Sequence, residues 1–260
     1  MRLTFLGTGT AMPTGERFQT GLLVEDGSDR LLVDCGSGVL HALQRTDVGY
    51  EGVGTVLLTH HHLDHVSDLM VLIKARWLAG EDSLTIAGPP GTPELVEDLL
   101  DVHDYMRDRI DLDLRTVDPE AGQFEIAGFT AEATETRHSV QCFAYRLTPV
   151  AGGGDPESSP PTLGFSGDTE AFADLVEFFD ETAVLVHDCS FPDEVDVSNH
   201  PTPSTLGQAF ADADADVGRV YLTHLYPHTD GKHEEMLDSL SEHYDGDARF
   251  ARDGLTLDIE

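Results

Sequence analysis

Thr59-His60-His61-His62-Leu63-Asp64-His65 packs four histidines and one carboxylate into seven residues, directly behind the apolar run Thr55-Val56-Leu57-Leu58. By spacing it reads His-x-His-x-Asp-His. Imidazole nitrogen and carboxylate oxygen are the donors that zinc and other borderline divalent cations accept, and side chains on a loop at a strand end converge on one point. On an extended continuation of the strand, His60 and His62 point to one side and His61 to the other. Asp64 and His65, past a turn, reach a second point a short distance off. The loop therefore carries donors for two ions. A plain solvated loop or a fortuitous His-rich tract is the alternative, and neither calls for an apolar strand in front of it.

Outward from the loop, Val66, Leu69, Met70, Ile73 and Trp77 recur at helical spacing, so Val66 to Ala79 is expected as one amphipathic helix. Upstream, Leu3 to Leu6 reads as a strand ended by Gly7-Thr8-Gly9-Thr10, whose glycine spacing matches no nucleotide-binding fingerprint. Gly21 to Glu25 and Arg30 to Asp34 form a hairpin around Asp26-Gly27-Ser28-Asp29, and Val39 to Gln44 a short helix. Downstream, Leu84 to Ala87 is a strand, and Thr92-Pro93-Glu94 opens a helix with Thr92 as its cap. Leu114 to Val117, Phe124 to Ile126, Phe129 to Thr134 and Gln141 to Thr148 read as an antiparallel run. Val150 to Pro161, with three glycines and three prolines, is expected as a surface loop without order. From Thr162 onward strands (Thr162 to Phe165, Ala183 to Val186, Val220 to Thr223) alternate with helices (Glu170 to Phe179, Ser204 to Ala213, Glu234 to Tyr244). Arg249-Phe250 and Leu255 to Ile259 are expected to close the chain as a hairpin. Two strand-rich halves with flanking helices and no fixed-period repeat indicate an α+β fold, a four-layer αββα sandwich, in one domain over residues 1–260.

The loop resembles motif II of the metallo-β-lactamase fold superfamily of hydrolases. That resemblance implies the same αββα sandwich, and a two-metal site completed by a later His, an Asp and a last His at strand ends. Arg137-His138-Ser139, Ser166-Gly167-Asp168-Thr169 and Thr223-His224-Leu225 each follow a strand-like run. Carried over residue by residue, His60, His62 and His138 would hold the first ion, Asp64, His65 and His224 the second, and Asp168 would bridge. Two Zn2+ per chain are implied, with Mn2+ or Fe2+ as alternatives, and hydrolysis by a hydroxide held between the metals. Asp64 counts among the catalytic groups as well as the ligands. Asp34, ending the third strand, is the position from which this fold steadies the loop; a turn-capping aspartate is the other reading. His61 is expected to be structural.

Phe165-Ser166-Gly167-Asp168-Thr169 and Val186-His187-Asp188-Cys189-Ser190 look like the Ser-Gly-Asp-Thr and His-Glu-Ala-Thr motifs of the RNase Z group, the tRNA 3′-end-processing phosphodiesterases. Asn199-His200-Pro201, leading into Ser204-Thr205, resembles that group's His-Ser-Thr segment. The likeness implies catalytic roles for Asp188 and His200 beside the metals, the histidine binding phosphate or protonating a leaving oxygen. Two departures stand out. Members that process tRNA carry a long Gly- and Pro-rich arm, and the only long irregular stretch between His138 and Asp168 is 150–161. The last motif reads Leu222-Thr223-His224-Leu225-Tyr226-Pro227-His228, not Phe-Ser-x-Arg-Tyr, so a basic phosphate contact is missing. The chain is thus most similar to compact, armless relatives. The expectation is a dinuclear zinc phosphodiesterase acting on a small-molecule phosphodiester or single-stranded RNA, not a tRNA 3′ processor. A carboxylic ester, thioester or lactone hydrolase is the alternative, since the same hydroxide attacks carbonyl carbon.

Composition sets the surroundings. The formal net charge is −34 with only two lysines, Lys74 and Lys232, which reads as adaptation to a salt-rich cytoplasm. Such a surface repels membranes and polyanions at low salt. Near the motifs the only basic residues are Arg76, Arg137 and Arg146. Cys35, Cys142 and Cys189 are odd in number and far apart, as reduced thiols are. No signal-peptide core or membrane-length apolar run occurs, so a soluble cytoplasmic protein is expected, with a homodimer among the allowed assemblies.

Overall fold

The computed structural model describes residues 1–150 and 160–260, so most of the loop expected at 150–161 lies outside the described residues. The first sheet contains β1 (Arg2–Gly7), β2 (Gly21–Asp26), β3 (Asp29–Val33), β4 (Thr55–Leu57), β5 (Ser83–Gly88) and β6 (Asp111–Thr116). The second contains β7 (Phe124–Ile126), β8 (Phe129–Glu135), β9 (Phe143–Pro149), β10 (Leu163–Phe165), β11 (Thr182–Asp188), β12 (Val217–Thr223) and β13 (Ala248–Phe250), and β14 (Thr256–Asp258) returns to the first. Their orders are β14-β1-β2-β3-β4-β5-β6 and β13-β12-β11-β10-β9-β8-β7.

Period-two alternation decides the layers. Leu3, Phe5, Val24, Val33 and Leu57 turn inward against Phe129, Phe143, Tyr145, Phe165 and Val186, making one apolar cluster between the sheets. Leu23, Leu32, Val56 and Ile86 turn outward under α1 (Val39–Leu43), α2 (Leu63–Val66), α3 (Leu69–Ala79) and α4 (Thr92–Val102). Leu185 and Leu222 do the same under α5 (Ala173–Phe178), α6 (Pro203–Asp212) and α7 (His233–Ser241). The result is the expected αββα sandwich.

Strands β3 to β6 run parallel, as do β10 to β13. Parallel strands put all their C-terminal ends on one edge, where open α/β sheets bind ligands. The turns after β4, β10, β11 and β12 therefore open on common ground, and β8, two antiparallel steps from β10, adds its own C-terminal end. The hairpin of β2 and β3 forms as expected, with Asp26 opposite Asp29 and Gly27 at φ +56 in the turn.

Five readings are corrected. The run after Thr59 is not one helix: it breaks at Ser67-Asp68 into α2 and α3, because Asp68 Oδ2 accepts from the amides of Gly38 and Leu40 at 2.9 and 3.0 Å and so caps α1. β6 begins at Asp111 and lies parallel to β5 in the first sheet, leaving only β7 to β9 as an antiparallel run. The closing residues form no hairpin, since β13 lies parallel to β12 and β14 antiparallel to β1, each completing an edge of a different sheet. At α4 the cap position is Gly91 at φ +94, not Thr92, whose hydroxyl donates to the Pro89 carbonyl at 2.8 Å. α6 likewise starts after Thr202 and not at Ser204, the Thr202 amide donating to Thr205 Oγ1 at 2.9 Å.

Candidate metal centre

The loop after β4 is held from below by Asp34, a fully buried non-glycine residue in the left-handed region at φ +60. One carboxylate oxygen accepts the Thr59 amide at 2.8 Å; the other accepts the Thr59 hydroxyl at 2.8 Å and lies 2.7 Å from His65 Nδ1. That contact keeps a proton on Nδ1 and turns Nε2 of His65 toward the site. Close packing does the rest. A Cβ on Gly36 would stand 2.0 Å from the Asp64 carbonyl oxygen, and the Cys35 amide donates to the His65 carbonyl at 2.7 Å, so β3 and the loop fit only with glycine between them. Gly167, at φ +58, makes the turn that brings Asp168 in.

The side chains expected as ligands come together. His62 Nδ1 lies 3.0 Å from His60 Nε2 and 3.2 Å from His138 Nε2, with Asp168 Oδ2 3.7 and 3.9 Å from the latter two nitrogens. On the other side, His224 Nε2 lies 3.2 Å from Asp64 Oδ2, 3.4 Å from His65 Nε2 and 3.3 Å from Asp168 Oδ2. Asp168 thus belongs to both groups, its Oδ1 3.4 Å from His65 Nε2. Donors around a tetrahedral zinc at its usual bond lengths stand about 3.3 Å apart. The spacing of these donors fits a cation.

Charge agrees with spacing. Burial pushes His60, His62 and His138 below the usual histidine range, leaving neutral rings with lone pairs. Burial opposes the ionised form of Asp64 and Asp168, yet His224 and His65 hold both well below the carboxylate range. Burial also opposes His65, but Asp168 and Asp34 outweigh it and raise that ring. Neutral imidazoles and ionised carboxylates aimed at one another are what a divalent ion would satisfy.

His200 stacks on His224 at 5.2 Å between centroids, with Nδ1 2.8 Å from Asp188 Oδ2. One of its ring nitrogens lies within 4.8 Å of donor atoms of Asp168 and His224. Asp188 itself sits behind the histidine, fully buried, accepting the Ser190 hydroxyl at 2.5 Å and the Thr169 amide at 3.2 Å. Ser190, unassigned by sequence reading, also lies 2.9 Å from His224 Nδ1, and the Asn199 carbonyl 3.2 Å from His138 Nδ1. The signal for Asn199 was weak: an asparagine before His200, which here adopts φ +67 as asparagine readily does. His61 turns away, its Nε2 2.8 Å from Thr92 Oγ1. The three arginines near the motifs are engaged elsewhere. Arg76 is buried against the carbonyls of Tyr50, Glu51 and Ser83, Arg146 meets Glu132 and the Asp180 carbonyl, and Arg137 lies 3.9 Å over the Phe172 ring. The three cysteines are buried free thiols, and no helix among the described residues is long and apolar enough to cross a membrane.

The crystal structure of YhfI from Bacillus subtilis, a metallo-β-lactamase fold protein, superposes with a TM-score of 0.82 at 24% identity over 98% of each chain. Residues 1–236 match the family model described as anti-Pycsar protein Apyc1. Ribonuclease Z of Haloferax volcanii is 30% identical over 304 residues, spanning 100% of this chain and 95% of that protein. The chain belongs to the Apyc1 family of RNase Z-like metallo-β-lactamase-fold hydrolases. Ribonuclease Z of Mycobacterium bovis is 32% identical over 269 residues, 93% of this chain and 91% of that protein. As an RNase Z-like hydrolase it is a metal-dependent enzyme, and its His/Asp cluster is one capable of holding metal.

Proposed function

We propose that this RNase Z-like hydrolase cleaves small or single-stranded phosphodiesters with two divalent ions, zinc in first place, and does not process precursor tRNA. His60, His62 and His138 would hold one ion and Asp64, His65 and His224 the other, with Asp168 placed between the two groups. Ions held there would acidify a bound water toward neutrality and offset the negative charge that builds on the phosphate oxygens. The chain supplies the rest. Asp34 and Ser190 fix the ring orientations of His65 and His224.

The observation that carries the phosphodiester reading is the Asp188–His200 pair standing over the same donor cluster. Burial opposes a charge on His200, but Asp188 overrides it and pushes the ring up to about 9, so it is cationic at neutral pH. A cationic imidazole donates to a non-bridging phosphate oxygen and can pass its proton to the leaving oxygen. A carboxylic ester offers it no anionic oxygen until the carbonyl has been attacked. His200 is therefore the catalytic acid and Asp188 the positioning residue behind it. Relatives named ribonuclease Z support the phosphodiester class. Against a folded tRNA stand the engaged arginines and the net charge of −34, because phosphate contacts from Lys and Arg supply most of the affinity for a polyanion.

Protein purified without chelator is expected to hold two zinc equivalents by elemental analysis, and to hydrolyse bis(p-nitrophenyl) phosphate in molar KCl faster than p-nitrophenyl acetate. His200→Ala is expected to lower diester turnover about 100-fold at unchanged metal content. Release of a 3′ trailer from precursor tRNA, or preference for the carboxylic ester, overturns the reading.

A further inference from the structure

Rings continue outward from the donor cluster beyond those the hydrolysis uses. Tyr226 stands 5.8 Å from His224 and 5.9 Å from His200 between centroids, Phe191 stacks on Tyr226 at 4.3 Å and 24°, and His228 lies 5.3 Å from Phe191. Phe191 is buried, but Tyr226 is half-buried and His228 exposed, so this wall is open on its outer side. A short helical turn over Pro227–Thr229 sets the two open rings side by side. It is pinned by Thr229, a fully buried residue whose hydroxyl donates to the Tyr226 carbonyl at 2.8 Å.

The geometry points to a stacking site for a flat ring carried next to the scissile phosphate, a nucleobase, held on Tyr226 and His228. This rests on the phosphodiesterase reading above. The ions and the His200 ring would grip the reacting phosphate alone, and beyond them Arg76 and Arg146 near the motifs are engaged with carbonyls and Glu132, so neither offers the rest of the substrate a cation. Ring stacking needs none. It accepts any base, because every base has a π-face, and it survives the salt that screens ion pairs. An acidic protein that must hold an anion in concentrated salt has this route open to it.

The test is calorimetric titration of the zinc-loaded protein in molar KCl with AMP, UMP, phenyl phosphate and ribose 5-phosphate. Both nucleotides are expected to bind about tenfold more tightly than ribose 5-phosphate, as one stacked base provides, with phenyl phosphate between. The ratio is expected to fall toward one in Tyr226→Leu and in His228→Ala, and to persist in Tyr226→Phe, which keeps the ring. His228 is a surface residue, so its variant reports even if Tyr226→Leu folds poorly. Equal affinity for AMP and ribose 5-phosphate in the unaltered protein, or a ratio that survives both ring removals, overturns the stacking site. Parity of phenyl phosphate with AMP overturns its assignment to a base. Failure of the phosphodiesterase reading looks different: none of the phosphates binds while carboxylic esters are hydrolysed, and the stacking site falls with it.

Discussion

Asp34 holds the donor loop from behind without being one of its clustered donors. Three contacts of 2.7 to 2.8 Å end on its two oxygens, and one of them fixes which nitrogen of His65 faces the other donors. Loss of such a partner usually costs 10- to 100-fold in metal affinity. Asp34→Ala is therefore expected to weaken zinc binding by about that factor in competition with a chelating dye, while His61→Ala, on the far side of the loop, leaves it within about twofold. Equal affinities for Asp34→Ala and the unaltered protein would remove the role given to Asp34. At this scale much was legible, because few residue types can serve as metal donors and the alternation of an extended segment separates His61 from its neighbours. What stayed hidden depended on backbone conformation. Nothing in the letters around Asn199 announces a left-handed residue that turns its carbonyl onto His138, and nothing around Asp188 announces its 2.8 Å contact with His200.

Elements were legible where their reasons are local and illegible where they are not. The β2–β3 hairpin follows from Asp-Gly in its turn, whereas β13 and β14 look like a hairpin in sequence and separate because their partners, β12 and β1, lie far away along the chain. Helix starts moved for a similar reason at Asp68 and Asp193, whose carboxylates reach between elements. Asp193 accepts from the amide and hydroxyl of Ser204 at 3.0 and 2.6 Å and from the Ser239 hydroxyl, tying the start of α6 to α7. Burial opposes its charge, but the Ser204 and Ser239 hydrogen bonds prevail and hold it below the usual carboxylate range. A carboxyl with a depressed folded-state pKa contributes stability that is present above its unfolded value, near 3.9, and is lost as pH falls through the folded value. Asp193→Asn is expected to lower the urea midpoint at pH 7, with the gap to the unaltered protein narrowing steadily below about pH 4. A gap that is constant down to pH 2 would assign the loss to shape and not to charge.

Over the whole molecule the charge decides how stability answers to salt. Two effects oppose each other. Salt screens surface ion pairs such as Arg107 with Glu97 and Asp101 or Arg115 with Asp113, and so removes stabilisation, but exposed pairs contribute little. It also screens the mutual repulsion of 49 acidic groups against 15 basic ones, an excess of 49 − 15 = 34. At most 15 cations can form pairs, so the repulsive set is larger and its relief should prevail. Screening length falls from about 10 Å at 0.1 M to about 3 Å at 1 M, which means most of the change comes below molar salt and then levels off. The melting temperature of the zinc-saturated protein is accordingly expected to climb between dilute buffer and 1 M KCl and to flatten beyond it. Holding zinc saturating matters, because a cation bound among Asp64, Asp168 and the histidines stabilises the folded chain by its own affinity and would mask a surface effect. A melting temperature that falls over the same range would show that the ion pairs outweigh the repulsion, and the reading of this surface as built for concentrated salt would have to be given up.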